Sequence, residues 1–310
     1  MPQIAISTQT YRHDIDECAL LCESISRFVP DSIDHFIFVN DEDYELFATD
    51  PRFARAKIHR KSELLPKAFF KLPFKLMGHK CYVSPATIPV RQWIVQQICK
   101  LAVFDVIGDS YDAVMHLDSE CVFMRPFSLD SIYCDGRFML YSRDFEEEPY
   151  HENYCRVAKK ALRLDADVET MAKKTYMTQP MVFERRSLQE MLARLGKGSL
   201  FGWKYRFANN YKISEIYLYT LFCIHELGGR GHFDTDKRRF PLIHVVDFDA
   251  AAPLEQCARQ LLADPDVAGI CFQKGKRRDG KCVGSNTIAS VVRKIWGVIF
   301  NDFQSYSLTD

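Results

Sequence analysis

Apolar runs that stop on acidic residues are the clearest feature of the hydrophobic pattern along this chain. Residues 113–117 form an apolar run with the length of a buried strand, followed by Asp118-Ser119-Glu120 and a second apolar run over residues 121–124. Carboxylates are rarely buried unless they are paired or coordinate a metal. The pattern therefore predicts a site at the end of the first strand, and an ordinary solvated turn between two strands is the alternative.

An amphipathic helix is predicted immediately before this strand. Between Pro89 and Ile107, apolar residues recur at close to helical spacing, which puts Gln97 and Lys100 on or beside the opposite face. The face that carries Lys100 is expected to look toward the same edge as Asp118. A cation at that position can pair with a diphosphate.

The N-terminal part of the chain predicts a β-α-β unit. Residues 3–8 and 35–40 are strand-like, and a helix capped by Asp14 or Asp16 is predicted between them. Polar residues follow each strand, with Asp41 directly after the second, which favours a parallel sheet with its site at one edge. No glycine-rich phosphate loop or dinucleotide fingerprint is present in the sequence to account for that edge.

The remaining segments predict further strands and helices around this unit. Residues 47–89, rich in Lys, Pro and aromatic residues, are expected to form an irregular connection. A helix with Ser214 as its N-cap is predicted to begin at Glu215. The other predicted elements are strands at residues 137–143, 176–183, 240–248 and 268–272 and helices at residues 154–164, 187–195, 258–263 and 288–300.

The composition is that of an ordinary globular protein without a global charge. Apolar residues make up 47% of the 310 residues, and 41 Lys and Arg balance 41 Asp and Glu, so no overall field attracts nucleic acid. The 11 cysteines include no C-x-x-C pair, which argues against a disulfide framework or a zinc site and fits a reducing cytoplasm. Neither a signal-peptide pattern nor an apolar run of spanning length is found, so a soluble protein is expected.

The segments RQWIVQQICKL and YDAVMHLDSECVFMRPF are similar to the core of GT-A-type glycosyltransferases, in which an acidic D-x-D motif ends a strand. More narrowly, the chain resembles an uncharacterised bacterial family in that group, a domain of unknown function of the DUF6492 type, over roughly residues 1–250. The resemblance implies an α/β fold of GT-A-like (Rossmann-like) type, with a mixed, mainly parallel sheet flanked by helices. It also implies one domain over residues 1–310, with a nucleotide-sugar-binding half over residues 1–126 and an acceptor-binding half over residues 127–310 that ends in the C-terminal helix.

The same resemblance implies a divalent metal, Mn²⁺ or Mg²⁺, at Asp118 and Glu120. Glu120 stands where the motif has Asp; it too is an oxygen ligand for hard cations, although its side chain is one methylene longer. His244 is the candidate for a third ligand, because several GT-A enzymes take one from a histidine late in the chain. A histidine satisfied within the core is the alternative for His244.

The nucleotide-sugar donor is expected to contact residues that follow the first two strands. By position in the resembled group, Thr10 and Tyr11 lie beside the base and Asp41 beside the base or ribose; helix capping and turn chemistry are the alternative. The other residues expected to contact the donor are Gln97, Lys100, Ser119, Thr178 in the sugar pocket, and Lys276 in the basic loop at residues 273–281. For that loop, closure over a diphosphate, contact with an anionic membrane or glycan, and simple solvation all stay open.

An inverting sugar transfer needs a carboxylate that takes the proton from the attacking hydroxyl. Glu215 is the first candidate, because the resembled family carries a similar S-E-aromatic helix start on the acceptor side of its site. Asp144, which follows the predicted strand at residues 137–143, is the second. For Glu215 the alternative is a purely structural place in the first helical turn, where the helix dipole favours an acid.

Together these features predict a metal-dependent glycosyltransferase that acts on a glycan or glycolipid acceptor in bacterial surface polysaccharide or glycolipid synthesis. The acceptor class is implied by the resembled family and not by a residue of this chain. The expected partners are the donor and that acceptor, with no nucleic acid, and the expected location is the cytoplasm with peripheral contact at the inner face of the membrane. The alternatives are a catalytically inactive glycan- or nucleotide-binding module of the same fold and a metal-dependent nucleotidyl or phosphoryl transferase.

Overall fold

The computed structural model describes residues 1–144, 149–274 and 284–306. The strands are β1 (Ile4–Gln9), β2 (Asp34–Val39), β3 (Ala56–Arg60), β4 (Phe70–Leu76), β5 (His79–Ser84), β6 (Thr87–Arg91), β7 (Ala113–His116), β8 (Cys121–Phe123), β9 (Tyr133–Cys134), β10 (Arg137–Tyr141), β11 (Arg143–Asp144), β12 (Lys174–Thr175), β13 (Met181–Glu184), β14 (His232–Thr235), β15 (Leu242–His244) and β16 (Gly269–Gln273). The helices are α1 (Ile15–Phe28), α2 (Tyr44–Ala48), α3 (Gln92–Leu101), α4 (Phe104–Ile107), α5 (Pro149–Leu162), α6 (Val168–Ala172), α7 (Arg185–Gly196), α8 (Trp203–Ala208), α9 (Glu215–His225), α10 (Ala251–Leu261) and α11 (Ser285–Tyr306). No helix within the described ranges combines the length and the apolar character needed to cross a bilayer.

Four parallel strands and one antiparallel strand form the central sheet, in the order β13-β7-β1-β2-β3. β1 pairs in parallel with β2 and β7, and β2 pairs in parallel with β3, while β13 runs antiparallel to β7. Parallel neighbours need a crossover connection, and α1 supplies the one between β1 and β2. The predicted fold class, a mixed and mainly parallel sheet flanked by helices, is confirmed.

Alternate residues of the central strands pack on opposite faces of the sheet. In β1, Ala5 belongs to the apolar cluster that α3, α5, α7 and α9 cover, whereas Ile4 and Ile6 belong to the cluster beneath α1, α10 and α11. Val114 and Met115 of β7 divide between the two clusters in the same way. Because both faces are buried, these strands read in the sequence as continuous apolar runs instead of alternating ones.

A smaller sheet, in the order β15-β16-β8, takes up the chain after the acidic triplet. β7 ends at His116 in the central sheet and β8 begins at Cys121 in the smaller one, so Asp118-Ser119-Glu120 lies where the chain passes between the two sheets. The carbonyl oxygen of Glu120 accepts a hydrogen bond from the backbone N–H of Phe272 at 2.9 Å. The triplet is therefore held from both sides at the end of a buried strand, as the sequence predicts.

The irregular connection predicted for residues 47–89 is wrong, because most of this stretch is regular. β4, β5 and β6 form an antiparallel sheet of their own, and β5 and β6 contact α3. Met77 and Gly78 join β4 to β5, both with positive φ (48° and 81°), as in a tight hairpin turn. The prolines and lysines of this stretch interrupt the alternation of apolar residues, which is why the sequence did not indicate strands.

Further predictions need correction. The strand predicted at residues 176–183 begins only at Met181, and the helix predicted at residues 258–263 covers Ala251–Leu261. The strand predicted at residues 240–248 covers only Leu242–His244, because the chain enters a short 3₁₀ helix at Val245–Asp247. Asp14 occupies the N-cap position of α1, but its side chain makes no capping hydrogen bond. Ser214, in contrast, caps α9 as predicted, and its hydroxyl oxygen accepts a backbone N–H of the first turn.

Candidate active site

A cavity of about 270 Å³ opens at the edge of the central sheet where the parallel strands end. It is lined by Gln9, Asp14, Trp93, Gln96, Gln97, Lys100, Asp118, Ser119, Glu120 and Glu215. We call it the site cavity. Polar and charged side chains dominate its wall, and in open α/β sheets this edge is where ligands bind.

Lys100 is the central cation of the site cavity. Its Nζ lies 3.1 Å from Oδ1 of Asp118 and 3.6 Å from Oε1 of Glu215. The Lys100 and Glu215 side chains are nearly buried, with 14% and 7% of their surfaces exposed, while Asp118 is 46% exposed. Burial by itself would lower the pKa of Lys100, but the charges of Asp118 and Glu215 outweigh it and raise that pKa, so the ammonium keeps its charge.

Both carboxylate oxygens of Asp118 have partners in the protein. Oδ1 faces Lys100, and Oδ2 accepts a hydrogen bond of 2.7 Å from Nε2 of Gln179. Gln179 precedes β13, and because β13 runs antiparallel to β7, its amino-terminal end meets the carboxyl end of β7 at the site. The amide oxygen of Gln179 is buried and has no hydrogen-bond partner among the described residues. It is an open acceptor beside Asp118.

Glu215 begins α9 and is held from two directions. Its backbone N–H donates to Oε1 of Gln97 at 2.9 Å, and its carboxylate faces Lys100. The residue is only 5% exposed, and this burial raises the pKa of its carboxyl group, against the opposing effect of Lys100. A buried carboxylate with a raised pKa is a stronger base than a solvated one, which suits proton transfer.

Glu120 has a different environment from Asp118. Its Oε1 accepts a hydrogen bond from the backbone N–H of Lys274 at 3.0 Å. Burial, and then the charges of Asp118 and Asp14, raise the pKa of Glu120 to about 7 despite that hydrogen bond. The second carboxyl of the triplet therefore exchanges its proton near neutral pH, and any cation bound beside it would favour the charged form.

A second cavity, of about 580 Å³, lies beyond the end of β2. We call it the outer cavity; it is lined by Asn40, Asp41, Glu42, Lys61, Ser62, Glu63, Leu65, Pro66, Lys67, Phe69, Phe70, Lys71 and Tyr82. The buried ammonium of Lys61 donates a hydrogen bond of 2.8 Å to the carbonyl oxygen of Thr10. Since Thr10 directly follows Gln9 of the site cavity, this bond links the walls of the two cavities.

The structure brings six of the thirteen predicted site residues into one cavity. Those that line the site cavity are Gln97, Lys100, Asp118, Ser119, Glu120 and Glu215. Thr10 is buried beside Gln9, and Tyr11 is near enough to Asp14 and Glu120 for their charges to raise its pKa. Asp41 lines the outer cavity, and Thr178 lines a small separate cavity. Asp144 and His244 are exposed and do not line the site cavity. Lys276 lies outside the described residues.

Sequence reasoning did not assign Gln9, Asp14, Trp93, Gln96 or Gln179 to the site. The signal for Gln9 and Asp14 was present, because Gln9 ends β1 and Asp14 comes shortly after it, much as Asp118 follows β7, and parallel strands end at the same edge. Nothing in the local sequence indicates Gln179, since its place depends on β13 running antiparallel to its neighbour. Both side-chain polar atoms of Gln9 are buried without a partner among the described residues, which is typical of a wall that meets a ligand.

Comparisons with known proteins identify one family. The chain matches the model of the family described as Family of unknown function (DUF6492) over residues 3–246, which confirms the narrower resemblance that the sequence indicated. No curated protein matches the chain significantly.

Solved structures similar to this chain include glycosyltransferases, the class that the broader sequence resemblance indicated. The galactosyltransferase LgtC, in complex with donor and acceptor sugar analogs, is 12% identical, with a TM-score of 0.48 over 94% of this chain and 95% of that chain. The glycosyltransferase GlyE of Streptococcus pneumoniae TIGR4 is 11% identical, with a TM-score of 0.43 over 98% and 64%. Glucosyl-3-phosphoglycerate synthase of Mycobacterium tuberculosis, in complex with Mn²⁺, UDP and glucosyl-3-phosphoglycerate, is 13% identical, with a TM-score of 0.39 over 75% and 69%. At these levels of similarity the ligands named are properties of those proteins.

Lys100→Met is expected to lower the free energy of unfolding by about 3 kcal/mol, because it leaves the carboxylates of Asp118 and Glu215 without their shared cation. Adding Glu215→Gln should recover part of that loss, since one of the two uncompensated charges is then removed. Urea unfolding of both variants measures the effect. Lys160→Met, at an exposed lysine of α5, is the control and should change the unfolding free energy by less than about 0.5 kcal/mol. Equal stability of Lys100→Met and wild type would contradict the central role of this cation.

Glu120→Gln is expected to stabilise the metal-free protein at about pH 8 and much less at about pH 5. Because the pKa of Glu120 is raised to about 7, its contribution to stability is present below its unfolded pKa and is lost as the pH rises through 7. Solvent reaches part of this side chain, so the gain at the higher pH should be about 1–2 kcal/mol. Urea unfolding with a chelator present provides the measurement, and Glu169→Gln on the surface of α6 is the control. A gain that is the same at both pH values would count against a raised pKa.

Proposed function

The chain belongs to the family of unknown function DUF6492, and from that premise and the geometry of the site cavity we propose that it is a glycosyltransferase that moves a sugar from a nucleotide-sugar donor to a hydroxyl group of an acceptor. The observation that carries the proposal is the convergence of Asp118, Glu120, Lys100 and Glu215 at the ligand-binding edge of the sheet. These side chains offer a cation for a diphosphate, two oxygen ligands for a metal and a buried base. Those are the groups that transfer from an activated sugar requires.

The donor is proposed to extend across both cavities. Its diphosphate would lie in the site cavity near Lys100, whose raised pKa keeps the ammonium charged. Its nucleoside would extend past Thr10 and Tyr11 toward Asp41 in the outer cavity, which has more than twice the volume of the site cavity. The hydrogen bond from Lys61 to Thr10 fixes the backbone between the two parts.

The donor set of the site fits a divalent cation that is shared with the substrate. Asp118 and Glu120 line the same cavity, and no group of three or more His, Cys, Asp and Glu side chains is arranged for a metal among the described residues. Mg²⁺ is usually bound by one or two carboxylates together with substrate phosphates and waters, so a pair of carboxylates is a sufficient protein contribution. The buried, unpartnered amide oxygen of Gln9 adds a third oxygen on the same wall. His244, proposed from sequence as a ligand, is exposed and does not line this cavity.

Mn²⁺ or Mg²⁺ held by Asp118 and Glu120 would offset negative charge on the leaving diphosphate. The residues of this chain have their own tasks in the reaction. Lys100 would donate one of its three N–H groups to a phosphate oxygen of the diphosphate while the others stay directed at the carboxylates. Gln179 would keep the Asp118 carboxylate in position during that exchange through its 2.7 Å hydrogen bond.

Glu215 is proposed as the general base for the acceptor. In an inverting transfer, the acceptor hydroxyl attacks the anomeric carbon, its proton passes to the carboxylate of Glu215, and the nucleoside diphosphate departs. The raised pKa of Glu215 increases its basicity, while Lys100 at 3.6 Å keeps the carboxylate charged before the transfer. Asp144 stays the second candidate, and it would have to act from an exposed position outside the site cavity.

The finer parts of the proposal concern the acceptor. A glycan or glycolipid of bacterial surface polysaccharide or glycolipid synthesis is proposed, with Thr178 near the sugar pocket and the enzyme working at the cytoplasmic face of the membrane. A second reading of the same residues is an inactive nucleotide-binding module, and it is favoured by one observation: both oxygens of Asp118 already have partners in the free protein. A nucleotidyl or phosphoryl transferase would use the same cation and carboxylates but release a different product.

One nucleoside diphosphate is expected to stabilise the protein in a metal-dependent way. In a thermal-unfolding panel of nucleoside diphosphates and nucleotide-sugars, with and without Mn²⁺, the matching ligand at a hundredfold over its Kd should add about 2.7 kcal/mol. Asp118→Asn should abolish the metal-dependent part, because a neutral amide is a poor ligand for a hard dication. Absence of stabilisation by every nucleotide would refute the proposed site, and pyrophosphate as the released product would favour the nucleotidyl transferase.

Glu215→Gln is expected to lower turnover by about 10²–10⁴-fold while nucleotide affinity stays within a few-fold. The reason is that the amide keeps the shape of the side chain but cannot accept the proton. Release of nucleoside diphosphate, assayed with the donor found in the binding panel, measures the effect. Asp144→Asn is the matched control and should leave turnover unchanged; the reverse result would transfer the role of base to Asp144. Donor binding without turnover in the wild type, across a broad set of acceptors, would favour the inactive module.

A further inference from the structure

The stretch between Glu63 and Asp105 carries a net charge of +6 in a chain whose total formal charge is zero. It contains no acidic residue, and its cations are Lys67, Lys71, Lys75, Lys80, Arg91 and Lys100. Lys71 pairs with Glu42 and Lys100 with the site carboxylates. Lys67, Lys75, Lys80 and Arg91 are exposed and have no ion-pair partner within the described ranges.

The same stretch exposes an unusual share of large apolar side chains. Of the thirteen such side chains exposed in the described structure, five belong to it: Phe70, Phe74, Met77, Ile88 and Trp93. Phe70 and Phe74 are 61% and 60% exposed, and Met77 is 91% exposed. Three of the five lie on β4 and its turn, and exposed apolar groups that gather in this way mark a contact surface, whereas scattered ones need no explanation.

The tip of the β4–β5 hairpin concentrates both properties. Lys75 and Lys80 are directly opposite each other across the two strands, an arrangement of like charges that disfavours pairing unless an anion lies between or above them. Met77 takes the first turn position with φ of 48°, where Asn, Asp or Gly is the usual residue. A large apolar side chain held in this conformation and facing water is unfavourable in the free protein, so a function at the tip explains its presence better than folding does.

We propose that this hairpin, with Phe74, Lys75, Met77 and Lys80 as its contact residues, docks the protein on an anionic phospholipid bilayer. Phe74 and Met77 enter the interface between headgroups and acyl chains, and the lysines place their ammonium groups at the lipid phosphates while their stems cover apolar surface. The positive charge of the stretch complements the negative surface of such a bilayer. The inference does not depend on the proposed reaction, because adsorption needs neither donor nor turnover.

The position of the hairpin relative to the site gives the docking surface a consequence. β6 runs directly into α3, and Trp93 in the first turn of that helix is 44% exposed and lines the site cavity. The basic, apolar stretch therefore reaches from the hairpin tip to the rim of the site cavity. A protein adsorbed through this stretch would hold that rim close to the lipid surface.

Cosedimentation with vesicles tests the proposal directly. The full chain should bind vesicles of phosphatidylcholine and phosphatidylglycerol in equal parts, should bind phosphatidylcholine alone weakly, and should lose binding as salt increases. Lys75→Gln with Lys80→Gln should weaken binding about 30-fold, because each lysine near an anionic surface contributes about fivefold. Phe74→Ser with Met77→Asn should also weaken it, and Asn suits the positive φ at position 77, so the hairpin is expected to fold.

Matched controls separate docking from general effects of charge and exposure. Lys160→Gln with Lys173→Gln makes the same change of charge on α5 and after α6, and Leu242→Ser removes an exposed apolar side chain of β15. Both should bind vesicles like the wild type. The control variants should melt at the wild-type temperature and the hairpin variants at or above it, because they remove like charges or an unfavourable turn residue. Equal binding to the two vesicle types, or equal losses in hairpin and control variants, would overturn the proposal.

Soluble anions provide the last arm of the test. Inorganic phosphate and pyrophosphate should displace the protein from vesicles no better than sodium chloride at the same ionic strength. Preferential displacement by either would indicate a site for free phosphate and overturn bilayer docking. Retention on an acidic polysaccharide without vesicle binding would overturn it as well.

Discussion

The ammonium of Lys100 is the interaction on which the site depends. It lies between Asp118, at the end of β7, and Glu215, at the start of α9, so it joins the sheet to two of the helices that cover it. Without it, the buried carboxylate of Glu215 and the half-exposed carboxylate of Asp118 would both lose their cation, which destabilises the fold unless a proton or another cation enters. A single lysine at this position compensates both carboxylates at once.

The arrangement also explains how a stable fold can hold a reactive site. One cation shared between two carboxylates compensates each of them incompletely, and Glu120 beside them exchanges its proton near neutral pH. Buried amide atoms of Gln9, which lines the site cavity, and of Gln179, which bonds Asp118, have no partner among the described residues. Each of these features destabilises the free protein slightly. A bound diphosphate with its cation would supply the missing hydrogen bonds and charge, so this cost would be recovered on binding.

The positioning of these groups comes from the change of sheet at the acidic triplet. β7 belongs to the central sheet and β8 to the smaller one, so Asp118 and Glu120 are held by different neighbours: Gln179 before β13 for the first, and the backbone after β16 for the second. Two carboxylates separated by a single serine are thereby placed in different environments, and burial raises the pKa of Glu120. The β4–β5 hairpin is connected through β6 to α3, whose Trp93 lines the same cavity. The chain therefore links the site to the surface that we propose binds lipid.

Local pattern was sufficient for part of this protein, and long-range geometry decided the rest. The buried parallel strands, the acidic ends after residues 40 and 117, the cap at Ser214 and the orientation of Lys100 toward Asp118 follow from periodicity and short-range chemistry, which neighbouring residues determine among themselves. The placement of Gln179 and the separation of Asp144 and His244 from the site cavity could not be read in that way, because they depend on which strands pair and in which direction. The hairpin of residues 70–84 was also missed, since its lysines and prolines serve the surface it presents and obscure the alternation that marks a strand. The sequence alone determined which residues carry side chains suited to binding and proton transfer. Only the tertiary structure decided which of them meet, because pairing across the sheet joins residues that no local signal connects.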